Sequence, residues 1–175
     1  LVRGVAAYNN GILVLCANGL YLIDMPSADP LDWVTIKIVS QYGSKSPFAT
    51  FLYDNKIMIA AMQNSKFAGF AAIQGSTIDP ERTYLQATTE SSDLKTDRIE
   101  PDMFLVQESY VGHIASFVFK NKAYIALPYD TGATTNNRAY VFDFSHSKLT
   151  KQGYAWSPLT GITPAQFTVY GGNLY

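Results

Sequence analysis

The fold can be predicted from one segment, Ala115-Ser-Phe-Val-Phe-Lys-Asn-Lys-Ala-Tyr-Ile-Ala126. It consists of two short apolar runs on either side of the polar residues Lys120-Asn121-Lys122. This pattern predicts a β-hairpin, because asparagine tolerates the positive φ that tight hairpin turns require. We expect the first strand over residues 114–119 and the second over residues 123–127.

The same pattern occurs three more times, over residues 5–15, 49–60 and 165–175. Each copy is an apolar strand ending in an aromatic residue, then a short polar turn, then a second apolar strand. The turns centre on Asn9-Asn10-Gly11, Asp54-Asn55-Lys56 and Gly171-Gly172-Asn173. The aromatic residues that end the four first strands lie 45, 66 and 51 residues apart and are Tyr8, Tyr53, Phe119 and Tyr170. Two of these spacings match the period of a propeller blade, which is about 40–50 residues.

The repeat predicts an all-β fold of the β-propeller type. We expect about three four-stranded blades, over residues 1–40, 47–88 and 113–157, with an insertion over residues 88–112 and the start of a further blade at residues 165–175. Stacking such sheets face to face buries surfaces that one thin sheet leaves exposed. A closed propeller has four to eight blades, so residues 1–175 are expected to form a single, partial propeller domain within a longer protein. A β-sandwich is the alternative architecture.

Further strands complete each predicted blade. They are expected at residues 19–24 and 33–38 in the first blade, 67–73 and 83–87 in the second, and 138–144 and 154–156 in the third, where Ser157-Pro158 ends the last strand. Trp33 and Trp156 then occupy equivalent places late in their blades. The segment 130–137 is predicted as a loop, and a short helix is expected near residues 103–108.

Composition excludes several classes of protein. Hydrophobic residues make up 47% of the chain and charged residues only 15%, which argues against intrinsic disorder and against a helical bundle. The net charge of −1 gives no global positive field for nucleic acid or anionic lipid, and the basic residues form no run. No apolar run reaches the about 18 residues of a transmembrane helix, and no signal peptide is recognisable.

Three segments at the end of the third predicted blade and after it share a spacing, namely Tyr140-Val-Phe-Asp143, Ala155-Trp-Ser-Pro158 and Phe167-Thr-Val-Tyr-Gly-Gly-Asn-Leu-Tyr175. Together they resemble a kelch-type blade junction. Kelch blades have a tyrosine and an aspartate on one strand, a tryptophan on the next, and a glycine pair near the following hairpin. In this chain the glycine pair lies in the hairpin turn and is absent from the other units.

A second resemblance covers more of the chain. It involves three segments, Phe117-Val-Phe-Lys-Asn-Lys-Ala-Tyr-Ile-Ala-Leu-Pro128, Asn136-Asn-Arg-Ala-Tyr-Val-Phe-Asp143 and Ala155-Trp156. These segments are similar to the irregular propeller proteins of tailed bacteriophage virions, which include tail hub, neck and nozzle components. The resemblance implies a structural role in an oligomeric tail or neck, located in the virion and without catalysis. The implied partners are other virion proteins, or copies of the chain itself in a ring.

The residues that can carry chemistry form no recognisable catalytic, cofactor-binding or metal-binding motif. His113 and His146 lack neighbouring ligands for a metal pair, and Cys16 lies in an apolar run that predicts a buried side chain. Four aspartates are predicted at strand ends or turns, namely Asp24, Asp54, Asp130 and Asp143. Aspartate is common at such positions for conformational reasons. The insertion is acidic but lacks the order of a calcium loop, so we expect a solvated loop, with acidic residues Glu90, Asp93, Asp97, Glu100 and Asp102. We therefore predict no enzyme, no cofactor and no metal.

Two alternatives to the virion role stay open. A carbohydrate-binding or glycoside-processing propeller would use exposed aromatic residues, such as Trp33 and Trp156, to stack on a glycan, although both are also expected to pack between blades. A cellular protein-interaction propeller would act outside a virion, in the cytoplasm or the extracellular space. Neither alternative calls for sequence-specific nucleic-acid binding or a membrane.

Overall fold

Antiparallel strands dominate the computed structural model, which describes residues 1–8, 11–38, 42–53, 56–73, 100–145 and 156–175. The all-β prediction is confirmed. Sheet I contains β1 (Val2–Tyr8), β2 (Gly11–Cys16), β3 (Gly19–Asp24) and β4 (Val34–Ile38), and sheet II contains β5 (Thr50–Tyr53), β6 (Lys56–Gln63) and β7 (Lys66–Ile73). Sheet III contains β8 (Ala115–Phe119), β9 (Lys122–Leu127), β10 (Arg138–Asp143) and β11 (Trp156–Leu159), and a terminal hairpin joins β12 (Val169–Tyr170) to β13 (Asn173–Leu174). Neighbours in each sheet follow chain order, so every sheet is a simple meander.

The four predicted hairpins are confirmed, and they share one register. In each of them the aromatic residue that ends the first strand pairs with the residue three positions later, in the pairs Tyr8–Gly11, Tyr53–Lys56, Phe119–Lys122 and Tyr170–Asn173. Lys120 and Asn121 have φ values of 47° and 62°, and Gly171 and Gly172 have 56° and 79°. Two successive positive φ values match the type I′ turn, whose twist suits a two-residue hairpin loop.

Sheet II lies between sheets I and III, and the two faces of β6 divide accordingly. Ile57 and Ile59 belong to a core shared with Leu13, Leu15, Leu20 and Leu22 of sheet I. Met58, Ala60 and Met62 belong to a second core, shared with Ile125, Tyr140 and Phe142 of sheet III. Successive side chains of a strand point to opposite faces, so β6 packs with apolar side chains on both sides. All of its residues from Ile57 to Met62 are buried.

The predicted strand 154–156 needs correction. The described strand β11 begins at Trp156 and runs on to Leu159, so Pro158 lies inside it, paired with Tyr140, where we expected the strand to have ended. Proline is tolerated there because β11 is an edge strand of sheet III, and an edge strand needs no donor on its outer side. Residues 154 and 155, and the predicted strand 83–87, lie outside the described residues.

The predicted insertion is only partly a separate loop. Residues 88–99 lie outside the described residues. From residue 100 the chain forms helix α1 (Glu100–Met103) and a 3₁₀-helix (Glu108–His113). Residues 104–107 between them are not helical, so the predicted helix 103–108 is replaced by two helical turns on either side of it. Met103, Val106 and Val111 are buried in the core between sheets II and III. The expectation of a solvated loop is therefore wrong for this part, because three apolar side chains anchor it to the sheets.

The described residues include no helix that is both long enough and apolar enough to cross a lipid bilayer.

Candidate functional site

The outer face of sheet I, opposite its core with sheet II, carries apolar side chains. We define it by Val5, Ile12, Val14, Tyr21 and Ile23, which alternate with the core residues of β1, β2 and β3. Val5 pairs with Val14, Val14 with Tyr21, and Ile12 with Ile23, so the five side chains form two adjacent cross-strand rows. Val5 is 61% exposed and the other four are half-buried. An exposed apolar face of this kind indicates an interaction surface.

A groove lies where the first strands of the three sheets approach one another. It has a volume of about 550 Å³ and is lined by residues of β1, β5 and β8. The segment before β5 joins β8 directly, because the Ser116 amide donates to the Phe48 carbonyl at 2.9 Å. Leu52 and Val118 occupy equivalent places, one residue before the aromatic residue that ends each strand, and Leu52 is 61% exposed. The groove is therefore lined mainly by small and apolar side chains.

A polar cluster links the end of sheet III to helix α1. The Tyr140 hydroxyl donates to Asp102 Oδ2 at 2.5 Å, and the Tyr129 hydroxyl donates to Asp102 Oδ1 at 3.2 Å. The Arg138 guanidinium lies over the Tyr129 ring, 3.6 Å from its centroid. Asn137 holds the backbone of Tyr129, accepting from its amide at 2.7 Å and donating to its carbonyl at 2.8 Å. The cluster thereby fixes the predicted loop 130–137 against the helical segment.

The environment of this cluster keeps both tyrosines protonated. Burial, reinforced by the hydrogen bond to Asp102, raises the pKa of Tyr140 from 10.0 to about 12. Burial also raises the pKa of Tyr129, and the Tyr140 hydroxyl beside Arg138 raises the pKa of that guanidinium. A carboxylate held by two phenols beside a cation is suited to structural cross-linking, since each group already has its partner. Sequence reasoning placed Asp102 in the acidic insertion and missed the cluster.

The other aspartates lie near where the sequence placed them, at strand ends. Asp24 ends β3, and Asp143 ends β10 with its carboxylate 2.9 Å from Lys122 Nζ. Hydrogen bonds from Ser145 and Lys122 hold the pKa of Asp143 well below its usual range. Asp130 has a φ of 73° in the turn after β9, and Asp54 lies outside the described residues. None of these three described residues lines the groove.

The two histidines and the cysteine lie far apart in the sequence. His113 is exposed at the end of its 3₁₀-helix, edge-on to the Tyr110 ring, and His146 lies outside the described residues. Cys16 ends β2 half-buried, so its predicted place in the core is wrong: the core face of β2 takes Leu13 and Leu15, and alternation turns Cys16 to the other face. Within the described parts of the chain, no three His, Cys, Asp or Glu residues lie close enough to hold a metal ion.

The two tryptophans have different environments. Trp156 stacks on Phe142 with ring centroids 4.8 Å apart and packs against the core between sheets II and III. Trp33 precedes β4, is 39% exposed, and donates from Nε1 to the Ser27 carbonyl at 3.1 Å. Both lie at the start of the fourth strand of their sheet, as expected, because Trp33 directly precedes β4 and Trp156 is the first residue of β11. The expected packing between sheets is found for Trp156.

A cavity of about 250 Å³ lies beside the first residues of sheet III. It is lined by side chains that include Phe48, His113, Thr135, Asn136 and Gln166. Asn136 is buried, and its Nδ2 donates to the carbonyls of His113 at 2.7 Å and Ala165 at 3.3 Å. This amide therefore joins the chain before β8 to the chain before the terminal hairpin.

No protein-family model matches the chain, and no curated protein matches its sequence. The phage and kelch resemblances accordingly stay predictions, carried by the residues quoted for them.

Proposed function

We propose that the chain forms part of a β-propeller that acts as a structural and assembly protein of a phage tail or neck. In this proposal it makes protein–protein contacts, with other virion proteins or with copies of itself in a ring, and catalyses no reaction. The observation that carries the proposal is the outer face of sheet I, an apolar surface on a sheet whose opposite face is already buried against sheet II.

The packing of sheet II supports the propeller. One of its faces packs on sheet I and the other on sheet III, which is how a blade inside a propeller is buried. The shared hairpin register also supports a propeller, because the first two strands of every unit then pair in the same way. The groove lined by β1, β5 and β8 corresponds, in this proposal, to part of the central channel.

The terminal hairpin extends the same pattern towards a further sheet. The Phe167 ring lies 6.1 Å from the Tyr124 ring of β9, on the face of sheet III opposite the core with sheet II. A next unit that begins by covering the free face of the previous one is what radial stacking requires. By the same logic, the outer face of sheet I is the surface that the last sheet of a ring, or a neighbouring copy, would cover.

The assembly role is tested by substituting the outer face of sheet I. We expect the full-length protein to form a ring or oligomer of defined mass in light scattering, and Val14→Lys to shift it to smaller species. The lysine places a charge in the middle of the two apolar rows, where burial against a partner is costly. Leu31→Lys, at an exposed position outside this face, is the matched control and should leave the mass unchanged.

Two results would contradict the proposal. One is a protein that stays monomeric at all concentrations and binds none of the purified tail and neck proteins of the same genome. The other is a coding sequence whose neighbouring genes encode no capsid, portal or tail protein.

A further inference from the structure

The shared register of the four hairpins allows equivalent residues to be compared between the sheets. The aromatic residues that end the first strands are Tyr8, Tyr53, Phe119 and Tyr170. Tyr8 is 3% exposed in the core between sheets I and II, and Tyr53 is 8% exposed in the core between sheets II and III. Both tyrosines therefore pack against the sheet that follows their own in the chain.

A second register position follows the same rule. The residues two positions after the pairing partners of these aromatic residues are Leu13, Met58, Tyr124 and Tyr175. Leu13 is buried against sheet II, and Met58 is buried against sheet III. The Tyr124 ring lies 6.1 Å from the ring of Phe167, in the segment that leads into the terminal hairpin. These two positions therefore belong to the face of each sheet that packs on the next unit.

Adjacent residues of the second strand face the opposite way, towards the preceding sheet. Ile57 of β6 belongs to the core with sheet I, and Ala123 of β9 belongs to the core with sheet II. The equivalent residue of β2 is Ile12, in the outer face of sheet I. Val14 lies two residues later on the same face and is equivalent to Ile59, which also belongs to the core with sheet I. The outer face of sheet I therefore presents the positions that receive a preceding sheet elsewhere in the chain.

The terminal hairpin presents the complementary positions. Tyr170 is 79% exposed and Tyr175 is 65% exposed, whereas their equivalents Tyr8 and Leu13 are buried. Thr168 exchanges two backbone hydrogen bonds with Tyr175, both at 2.8 Å, so the two tyrosines lie diagonally on one face of the hairpin. We call this pair the tyrosine face. The tyrosine face and the outer face of sheet I correspond to the two halves of the interface that joins sheet I to sheet II and sheet II to sheet III.

We propose that the tyrosine face of one copy of the chain packs on the outer face of sheet I of a second copy. The contact continues the series of sheet interfaces within the chain, and it joins copies head to tail through two different surfaces. Contacts of this kind form a ring where the rotation between successive copies closes. The proposal rests on the assembly role proposed above and deepens it by naming the surface that the partner contributes.

The test uses the full-length protein and two lysine variants, one for each face. Light scattering should show that Val14→Lys and Tyr170→Lys each dissociate the wild-type oligomer into monomers, because burying a lysine in an apolar contact is costly. Mixing the two variants in equal amounts should double their mass, giving a dimer with one copy of each. In that dimer the unchanged tyrosine face of the Val14→Lys copy packs on the unchanged sheet I of the Tyr170→Lys copy.

Substitutions that keep each face apolar are the matched controls. Val14→Ile and Tyr170→Phe should keep the wild-type mass. Val5→Lys and Tyr175→Lys repeat the mixing experiment at exposed positions of the same two faces, so the test does not depend on one variant of each face folding. Far-UV circular dichroism checks the fold of every variant.

Three outcomes would overturn the proposal. A wild-type protein that is monomeric at all concentrations would do so, and the assembly role would then depend on binding to the purified tail and neck proteins. If Tyr170→Lys kept the wild-type mass while Val14→Lys dissociated, the outer face of sheet I would bind a different surface and the assembly role would stand. If both variants dissociated and stayed monomeric when mixed, the two faces would not bind each other.

Discussion

The Tyr140 hydroxyl donates a hydrogen bond of 2.5 Å to Asp102 and thereby joins sheet III to a helix 38 residues earlier in the chain. Tyr140 is itself part of the core between sheets II and III, so the bond connects that core to helix α1. Met103, which follows Asp102 in the chain, is buried in the same core. The polar contact and the apolar anchor therefore act together in fixing the helical segment to the sheets.

Tyr140→Phe is expected to lower the free energy of unfolding by about 2 kcal/mol at neutral pH, because hydrogen bonds to charged groups contribute about 1.5–3 kcal/mol. The pH dependence carries a further signature. The pKa of Tyr140 is raised in the folded state to about 12, so its contribution is fully present below pH 10 and is lost as the pH rises from 10 towards 12. Urea unfolding should show that the free energy of unfolding falls more between pH 8 and pH 11 in the wild type than in Tyr140→Phe.

The control for this prediction is Tyr170→Phe, at an exposed tyrosine of the terminal hairpin. It should leave stability within about 0.5 kcal/mol of wild type at both pH values. An equal loss of stability with pH in wild type and in Tyr140→Phe would show that Tyr140 makes no such contribution.

Gly43→Ala is expected to destabilise the protein by about 1–3 kcal/mol, through overpacking between sheets I and II. Gly43 exchanges two backbone hydrogen bonds with Met62 of β6, at 2.9 and 2.8 Å. A Cβ at this position would overlap the backbone carbonyls of Ala17 and Cys16. Gly19→Ala is the matched control, since a Cβ there meets no atom within 4 Å. Thermal unfolding that ranks the two variants equally would refute this account.

Phe142→Ala is expected to lower the free energy of unfolding by about 3–5 kcal/mol, the range for removing a large aromatic side chain from a core. The Phe142 ring stacks on Trp156 and lies edge-on to Tyr53, so it joins three strands of two sheets. Phe104→Ala, at an exposed phenylalanine, should change stability by less than about 0.5 kcal/mol. Denaturant titration monitored by far-UV circular dichroism measures both. A cost below 1 kcal/mol for Phe142→Ala would mean that the two sheets are not packed as described.

The features that the sequence predicts well are those fixed by neighbouring residues. The register of Phe119 with Lys122 follows from a two-residue turn between apolar strands, and such a turn is a local choice. The contacts of Asp102 with Tyr140 and of Asn136 with His113 join residues that are 38 and 23 positions apart in the chain. No periodicity marks those contacts, so only the packed structure brings their atoms together. Pro158 shows the same limit, because whether a proline ends a strand depends on whether that strand is an edge.

A substitution in the turn between β8 and β9 tests the local rule on which the repeat depends. Asn121 has a φ of 62°, in a region that glycine adopts freely and β-branched residues adopt only with strain. Asn121→Gly should therefore keep or slightly raise stability, and Asn121→Val should lower it by about 1–3 kcal/mol. Thr134→Val, in the loop between β9 and β10 and without a positive φ, is the matched control for the valine side chain. Chemical denaturation that gives Asn121→Val the stability of wild type would contradict the type I′ turn and, with it, the shared register of the four hairpins.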